Sequence, residues 1–419
     1  MSGESPVWAR AAATAGLVLL TSYAFFSRAF FEFSLLDAYV SISFACGTIV
    51  LFRIQPSWQK LLQVALISGV VAIIDIGFLG YRPYYPVAFT LVCLSYIGIS
   101  SFVVLGVHAA WATGEKRKLL VYTLLPMFLF SLVLIPDPII LDLMEKLRPL
   151  TFDLYLYSFD ASLGMQASFV LGTFVFKSAW IYNTTLLLYI ALPIPLAVVF
   201  AGNIVRNRKH ALCIALAFLL AGPLGLFFYN MLPALGPVHI FQTQFPGHPL
   251  SMADAARMVV EPITVKGTRN AMPSLHMAWI LLAWWNACGL RKVERWIVYL
   301  FVFFTVLSTL GLGEHYLIDL VVAYPFALMV QALSSFIIPL RDARRMVPLL
   351  AGMSITLAWL GLLSYATKLF WISPLLPWSL VLATVAVSIF LQRRLFAARM
   401  VETMPAHPAM AREPAVVVS

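Results

Sequence analysis

Charge is what this chain has least of. Asp, Glu, Lys and Arg together make up 11% of its 419 residues, against 62% hydrophobic residues and a mean hydropathy of +0.91. No soluble core needs that much apolar surface, so the composition excludes a soluble fold and describes a polytopic membrane protein. Cysteine is scarce as well. Cys46, Cys93, Cys213 and Cys288 lie inside apolar stretches without metal-ligand spacing and are assigned to packing. Internal repeats, low-complexity tracts and a soluble domain are all missing, apart from a Pro- and Ala-containing tail after Met404 that is expected to be disordered. The leader Met1 to Arg10 holds one basic residue and no convincing cleavage site follows it, so the first apolar stretch reads as a retained anchor.

What the chain has in abundance is apolar runs long enough to cross about 30 Å of hydrocarbon. They fall near residues 11–27, 35–52, 61–80, 87–112, 119–136, 179–204, 211–231, 272–290, 296–313, 315–339, 346–367 and 375–392, which predicts an all-α protein with about twelve transmembrane helices. The net charge of +10 is unevenly placed. Alternate connections hold Arg53/Lys60, Lys116-Arg117-Lys118, Arg206/Arg208/Lys209, Arg291-Lys292/Arg295, Arg341/Arg344/Arg345 and Arg393-Arg394/Arg399. By the positive-inside rule both termini are expected in the cytoplasm.

Two connections on the opposite face, 137–176 and 232–271, are longer and richer in charge and Pro than a plain turn needs. Long outer loops usually do something. The first contains Thr151-Phe-Asp-Leu-Tyr-Leu-Tyr-Ser-Phe-Asp160, whose acids Asp153 and Asp160 are seven apart on one helical face; it reads as a helix lying in the membrane interface, either an aromatic belt or part of a headgroup site.

Ionisable groups converge on the same side. His315 and Asp319, four apart at the start of a predicted helix, stack on one face, so the carboxylate can accept a hydrogen bond from the imidazole and fix its tautomer. The other ring nitrogen is then free to act as nucleophile or base. His276, at the start of another helix behind Pro273, supplies a complementary acid or base. Ionisable groups at membrane depth are expensive and tend to mark sites. A zinc site built from His239, His248, His276 and His315 is conceivable, but the spacing is irregular, and no metal or cofactor is expected.

Pro273-Ser-Leu-His276 followed by His315-Tyr-Leu-Ile-Asp319 resembles the second and third motifs, P-S-x-H and S-R-x5-H-x3-D, of the type-2 phosphatidic acid phosphatase superfamily. Leu275 in place of the phosphatases' Gly, with Leu232-Pro-Ala-Leu-Gly-Pro237 upstream, looks more like the inositol phosphorylceramide synthase branch. The resemblance is close over residues 229–319 and implies a six-helix catalytic core within 119–340, preceded by helices in 1–118 and followed by two in 341–392 and a cytoplasmic tail, 393–419. It implies that His315 attacks phosphorus to give a phosphohistidine, that Asp319 orients it, and that His276 protonates the leaving oxygen and then deprotonates the acceptor. Ser274, Lys266, Arg269, Tyr229, Asn230, Asp153 and Asp160 are the implied phosphate and headgroup contacts. The first motif, K-x6-R-P, is not matched, since Lys266 and Arg269 are only three apart and Asn270 follows.

One departure is informative. Ser308-Thr309 stands where the phosphatases have Ser-Arg. A charged hydrogen bond of the missing kind is worth roughly 1.5–3 kcal/mol, and a monoester dianion needs it more than a diester monoanion does. The loss favours a phosphodiester substrate, and the resemblance then implies a metal-independent phosphotransferase of sphingolipid type. It moves an inositol-phosphate-like headgroup from a phospholipid donor to a lipid or glycolipid acceptor at the extracytoplasmic face of the plasma (inner) membrane, without a nucleic-acid partner. A lipid or polyprenyl phosphate phosphatase and a non-enzymatic lipid transporter are the alternatives. The transporter would use ionisable groups near mid-span, for which Asp75 and Lys177 are the candidates.

Overall fold

The computed structural model describes residues 6–29, 35–78, 86–134 and 137–403. In chain order the helices are α1 (Val7–Ala29), α2 (Leu35–Ile54), α3 (Trp58–Phe78), α4 (Pro86–Trp111), α5 (Gly114–Val133), α6 (Asp137–Leu147), α7 (Asp153–Ser162), α8 (Ala167–Val175) and α9 (Ala179–Ile190). They continue with α10 (Pro193–Arg206), α11 (Arg208–Met231), α12 (Pro237–Phe241), α13 (Met252–Arg257), α14 (Leu275–Trp285), α15 (Lys292–Gly311), α16 (Leu317–Ser334), α17 (Ala343–Tyr365) and α18 (Leu375–Thr403). The predicted tail after Met404 lies outside the described residues.

Each apolar run is helical where it is described, but the runs are not equivalent as spans. Among the described residues, seven helices (α3, α4, α11, α15, α16, α17 and α18) are long and apolar enough to cross a membrane, and eight if the α9–α10 pair counts as one. The predicted run 179–204 is in fact that pair, bent by 42°. Pro193 and Pro195 enter the second helix just after the break, where a missing N–H and a fixed φ cost least. The run 272–290 holds only the eleven-residue α14, because Asn286 ends the helix and Gly289 turns the chain at φ +80. In α5 the charged Glu115-Lys116-Arg117-Lys118 start occupies its first turns, which leaves too short an apolar remainder. The chain is multi-pass, and the count of twelve stays an expectation.

Helix starts follow local capping chemistry. Ser178, Asn207, Ser251, Ser274 and Asp342 each accept a bond from a backbone amide in the first turn of the helix they precede. Burial orders the bundle. In α16, 83% of the span is buried, against 6% in α3, so α16 is the axis and α3 an outer helix whose apolar side chains face outward. Around α16 pack α11, α14, α17 and α18, while α1, α2 and α4 form a neighbouring group joined through α2 to α10.

The two long connections fold over one end of α14 and α16. They are tied together by a two-residue antiparallel ladder, Leu150–Thr151 against Ile263–Thr264, the one departure from all-α structure among the described residues. The expectation of an interfacial helix is corrected here. α7 is inserted into the protein, with Asp153, Leu156, Tyr157, Phe159 and Asp160 all buried. Its aromatics find rings rather than lipid: Phe159 meets Phe370 at 4.7 Å and Trp359 at 5.3 Å, and Tyr157 meets Phe241 at 4.9 Å. Trp371 Nε1 donates to Ser158 Oγ at 3.1 Å and Trp378 Nε1 to the Leu163 carbonyl at 3.0 Å, so α18 and the short turn Thr367–Trp371 before it brace α7.

Candidate active site

Ser274 caps α14 and His276 is that helix's second residue; Pro273 stands just outside it. His315 likewise precedes the capping residue of α16, Tyr316, whereas Asp319 sits in the first turn. The four-residue spacing still brings the pair together. His315 Nδ1 lies 3.4 Å from Asp319 Oδ2, and the same oxygen accepts the Tyr316 amide at 2.8 Å. His315 Nε2 is 3.1 Å from Ser274 Oγ. That hydroxyl accepts the Met277 amide at 3.3 Å, which leaves its proton to donate to Nε2. The network therefore assigns the proton to Nδ1 and a lone pair to Nε2. The two helix starts are also joined directly, since the Ser274 amide donates to the Asp319 carbonyl at 3.2 Å.

His276 is close by, with its ring centroid 6.3 Å from that of His315. It stacks on Tyr189 at 3.9 Å and meets Tyr39 edge-on at 5.9 Å. Its Nε2 has no hydrogen-bond partner among the described residues. Beside it opens a cavity of about 470 Å³. Leu134, Leu141, Ile190 and Leu226 give this cavity apolar walls, and Asp142, Glu145, His239 and Glu314 line it with polar groups. His239 Nε2 is 3.5 Å from Glu314 Oε2. The carboxylate raises the imidazole pKa above its usual value, against the opposing effect of burial.

The remaining sequence candidates are placed differently. Tyr229 lines the cavity, but Asn230 donates its amide to the Leu226 carbonyl of its own helix at 3.1 Å. Lys266 is exposed and outside the cavity. Arg269 is 1% exposed and turns its guanidinium inward, to the carbonyls of Val265 (2.8 Å), Pro149 (3.1 Å), Arg148 (3.2 Å) and Gly267, with Glu145 at 3.7 Å. It fastens the two long connections beside their ladder, and its donors are engaged there. Thr309 is buried and donates to the Thr305 carbonyl at 2.7 Å, so no charge occupies its position.

Asp153 and Asp160 share one face of α7, yet neither reaches the cavity. Asp153 accepts the amides of Gly236 (2.9 Å) and Leu235 (3.1 Å) and the Tyr316 hydroxyl (3.1 Å). Asp160 accepts the amides of Leu317 (2.6 Å) and Ile318 (3.1 Å). Burial raises both carboxyls. Asp160 is pushed up to about 8, first by burial and then by the neighbouring Asp319 carboxylate, with the two amides pulling the other way.

Sequence reasoning missed Ser168, whose hydroxyl donates to the His315 carbonyl at 2.7 Å, and Tyr189 and Tyr39 around His276. None belongs to a motif, and each arrives from far along the chain. Glu314, next to His315 in the chain, pairs with His239. Among the described residues no group of three or more His, Cys, Asp or Glu side chains is placed to hold a metal ion.

A carboxylate-oriented histidine with a second histidine beside it, next to an amphipathic cavity in a multi-helix membrane protein, is an arrangement suited to nucleophilic attack on a lipid phosphate. Residues 154–333, from α7 to the end of α16, match the family model of the PAP2 superfamily. The match covers under half of the chain; it supports the superfamily for that segment, and with it lipid phosphatase or phosphotransferase chemistry. Neither a curated protein nor a solved structure matches the chain.

Proposed function

We propose that the protein is a membrane phosphotransferase. It moves a phosphorylated, inositol-phosphate-like headgroup from a donor phospholipid to the hydroxyl of an acceptor lipid or glycolipid, with its site at the extracytoplasmic face of the plasma (inner) membrane. In the first step His315 Nε2 leaves Ser274 Oγ and attacks phosphorus. The bond from phosphorus to the diacylglycerol oxygen breaks as His276, in its protonated form, gives that oxygen a proton. The product pair is a phosphohistidine carrying the headgroup and free diacylglycerol. In the second step neutral His276 takes the proton of the acceptor hydroxyl, whose oxygen attacks phosphorus and releases His315. Asp319 stabilises the charge that develops on the His315 ring, as the third member of a triad does.

The observation that carries the choice of transfer over hydrolysis of a monoester is the lining of the cavity. Asp142, Glu145 and Glu314 border it and no Lys or Arg does, among the described residues. Asp142 is paired with Lys146, Glu145 with Arg269 and Glu314 with His239, and no Lys or Arg is left in the lining to meet a phosphomonoester dianion, which needs such a cation more than a diester monoanion does. Uncharged hydroxyls on a polyol headgroup, by contrast, give such carboxylates donors to accept. The apolar walls suit the acyl chains of the same substrate.

The test is a reconstitution with a glycerophospholipid donor and a lipid alcohol acceptor. Diacylglycerol and a new headgroup-bearing lipid should form in equal amounts with little free phosphate. Inorganic phosphate as the main product would overturn transfer and restore the phosphatase alternative, in which water takes the place of the acceptor.

A further inference from the structure

We propose that α7 is a positioning element for the nucleophile: Asp153 and Asp160 fix the segment Tyr316–Ile318 from behind, and so hold His315 against Ser274 and Asp319 without touching substrate. The inference rests on the reading of His315 as the nucleophile.

A helix start leaves its first amides without partners. In α16 these are the amides of Leu317 and Ile318, and Asp160 takes both, at 2.6 and 3.1 Å, from 157 and 158 residues away. The nearest competing acceptor is Asp319, which already bonds the Tyr316 amide through Oδ2. Without Asp160, the two free amides would draw the Asp319 carboxylate back over its own helix start, as a first-turn acid ordinarily caps. The contact of Oδ2 with His315 Nδ1 is already 3.4 Å, so a small withdrawal breaks it. Asp160 thus leaves Asp319 to the histidine.

Asp153 works on the other side of the same segment. It joins the Tyr316 hydroxyl to the amides of Leu235 and Gly236. Gly236 has φ +124, and a Cβ there would stand 2.4 Å from the Glu314 carbonyl oxygen, so this backbone lies directly on the one that leads into His315. The Val238 amide donates to the Gly313 carbonyl at 3.0 Å and Ser168 holds the His315 carbonyl. Both acids are buried, at 0% and 3% exposure, which keeps them from the substrate.

The experiment uses the full chain in lipid nanodiscs with Asp160→Asn and the milder Tyr316→Phe, alongside wild type and His315→Ala. Tyr316→Phe should lower kcat about three- to tenfold for one lost hydrogen bond, and Asp160→Asn about ten- to a hundredfold, with KM within about twofold of wild type. Amide exchange over residues 315–318 should quicken in both, and this reading does not depend on turnover. If Asp160→Asn fails to fold, Tyr316→Phe decides. Unchanged kcat with unchanged exchange overturns the proposal, and so does a raised KM at wild-type kcat, which would mean substrate contact. Full activity in His315→Ala would instead remove the nucleophile assignment, and is read separately.

Discussion

At His315 the structure separates two roles that the same ring could play. With Nδ1 turned to Asp319 and Nε2 to the Ser274 hydroxyl, the lone pair is on the nitrogen that attacks phosphorus in the proposed mechanism, and the serine proton would have to give way for that step. His315→Ala should therefore abolish turnover, and Asp319→Asn should reduce it by about a hundredfold or more while the fold survives, by analogy with triad acids. His276→Ala should cost about 10²–10⁴-fold, the range for a lost acid–base group. Each is checked by kcat of transfer beside a thermal unfolding curve; a His315→Ala protein with wild-type kcat would exclude the mechanism. Asp160 gives a prediction for stability. Its carboxyl is raised in the folded protein from the ordinary 3.8 to about 8, so between those values the folded state binds more protons than the unfolded one. Stability contributed by this group is thus fully present below about pH 4 and is lost as pH rises through about 8. Asp160→Asn, which cannot ionise, should flatten that fall in a series of unfolding midpoints from pH 5 to 9.

At the scale of elements, the last two helices and the turn between them matter to the site through α7. The indoles of Trp371 and Trp378 bond to Ser158 and Leu163, and Phe159 is enclosed by Trp359 and Phe370. Trp378→Phe removes one hydrogen bond worth about 1 kcal/mol. It should lower the unfolding midpoint and reduce kcat less than Asp160→Asn does, because α7 loses a brace but keeps both of its carboxyls. A larger kcat loss in Trp378→Phe than in Asp160→Asn would contradict that order. The same elements show what a sequence can carry. Local spacing was enough for the helical runs and for the contact between His315 and Asp319, four residues apart. It was also enough to place Asp153 and Asp160 on one face of a helix. It could not say what that face meets. Asp160 finds its amides 157 residues away, and Arg269 finds carbonyls at Arg148 and Pro149 across the ladder between the two connections. Such pairings leave no periodic mark, so two buried acids and a buried guanidinium looked like headgroup ligands. Two of the apolar runs are cut short for a related reason: hydropathy marks what is apolar, while prolines at the α9–α10 break and the early end of α14 decide how far a helix runs.

At the scale of the whole molecule, the site and the basic clusters lie toward opposite ends of the bundle. Arg206 donates to the Gly289 carbonyl, and Arg53 pairs with Glu294 at 3.1 Å, both beyond the far end of α14 from His276. If basic connections stay in the cytoplasm, the cavity opens on the other side, where the proposed donor in the outer leaflet would meet it at headgroup depth. The chain contains its own probe for this. Cys288 is exposed in the connection between α14 and α15, near Arg291, whereas Cys46 and Cys213 are buried. Lys266, exposed beside the ladder, marks the opposite end. In intact cells a membrane-impermeant thiol reagent should label Lys266→Cys and leave Cys288 unmodified, and permeabilisation should make Cys288 reactive. Labelling of Cys288 in sealed cells, with Lys266→Cys protected, would invert the orientation and place the transfer reaction on the cytoplasmic leaflet.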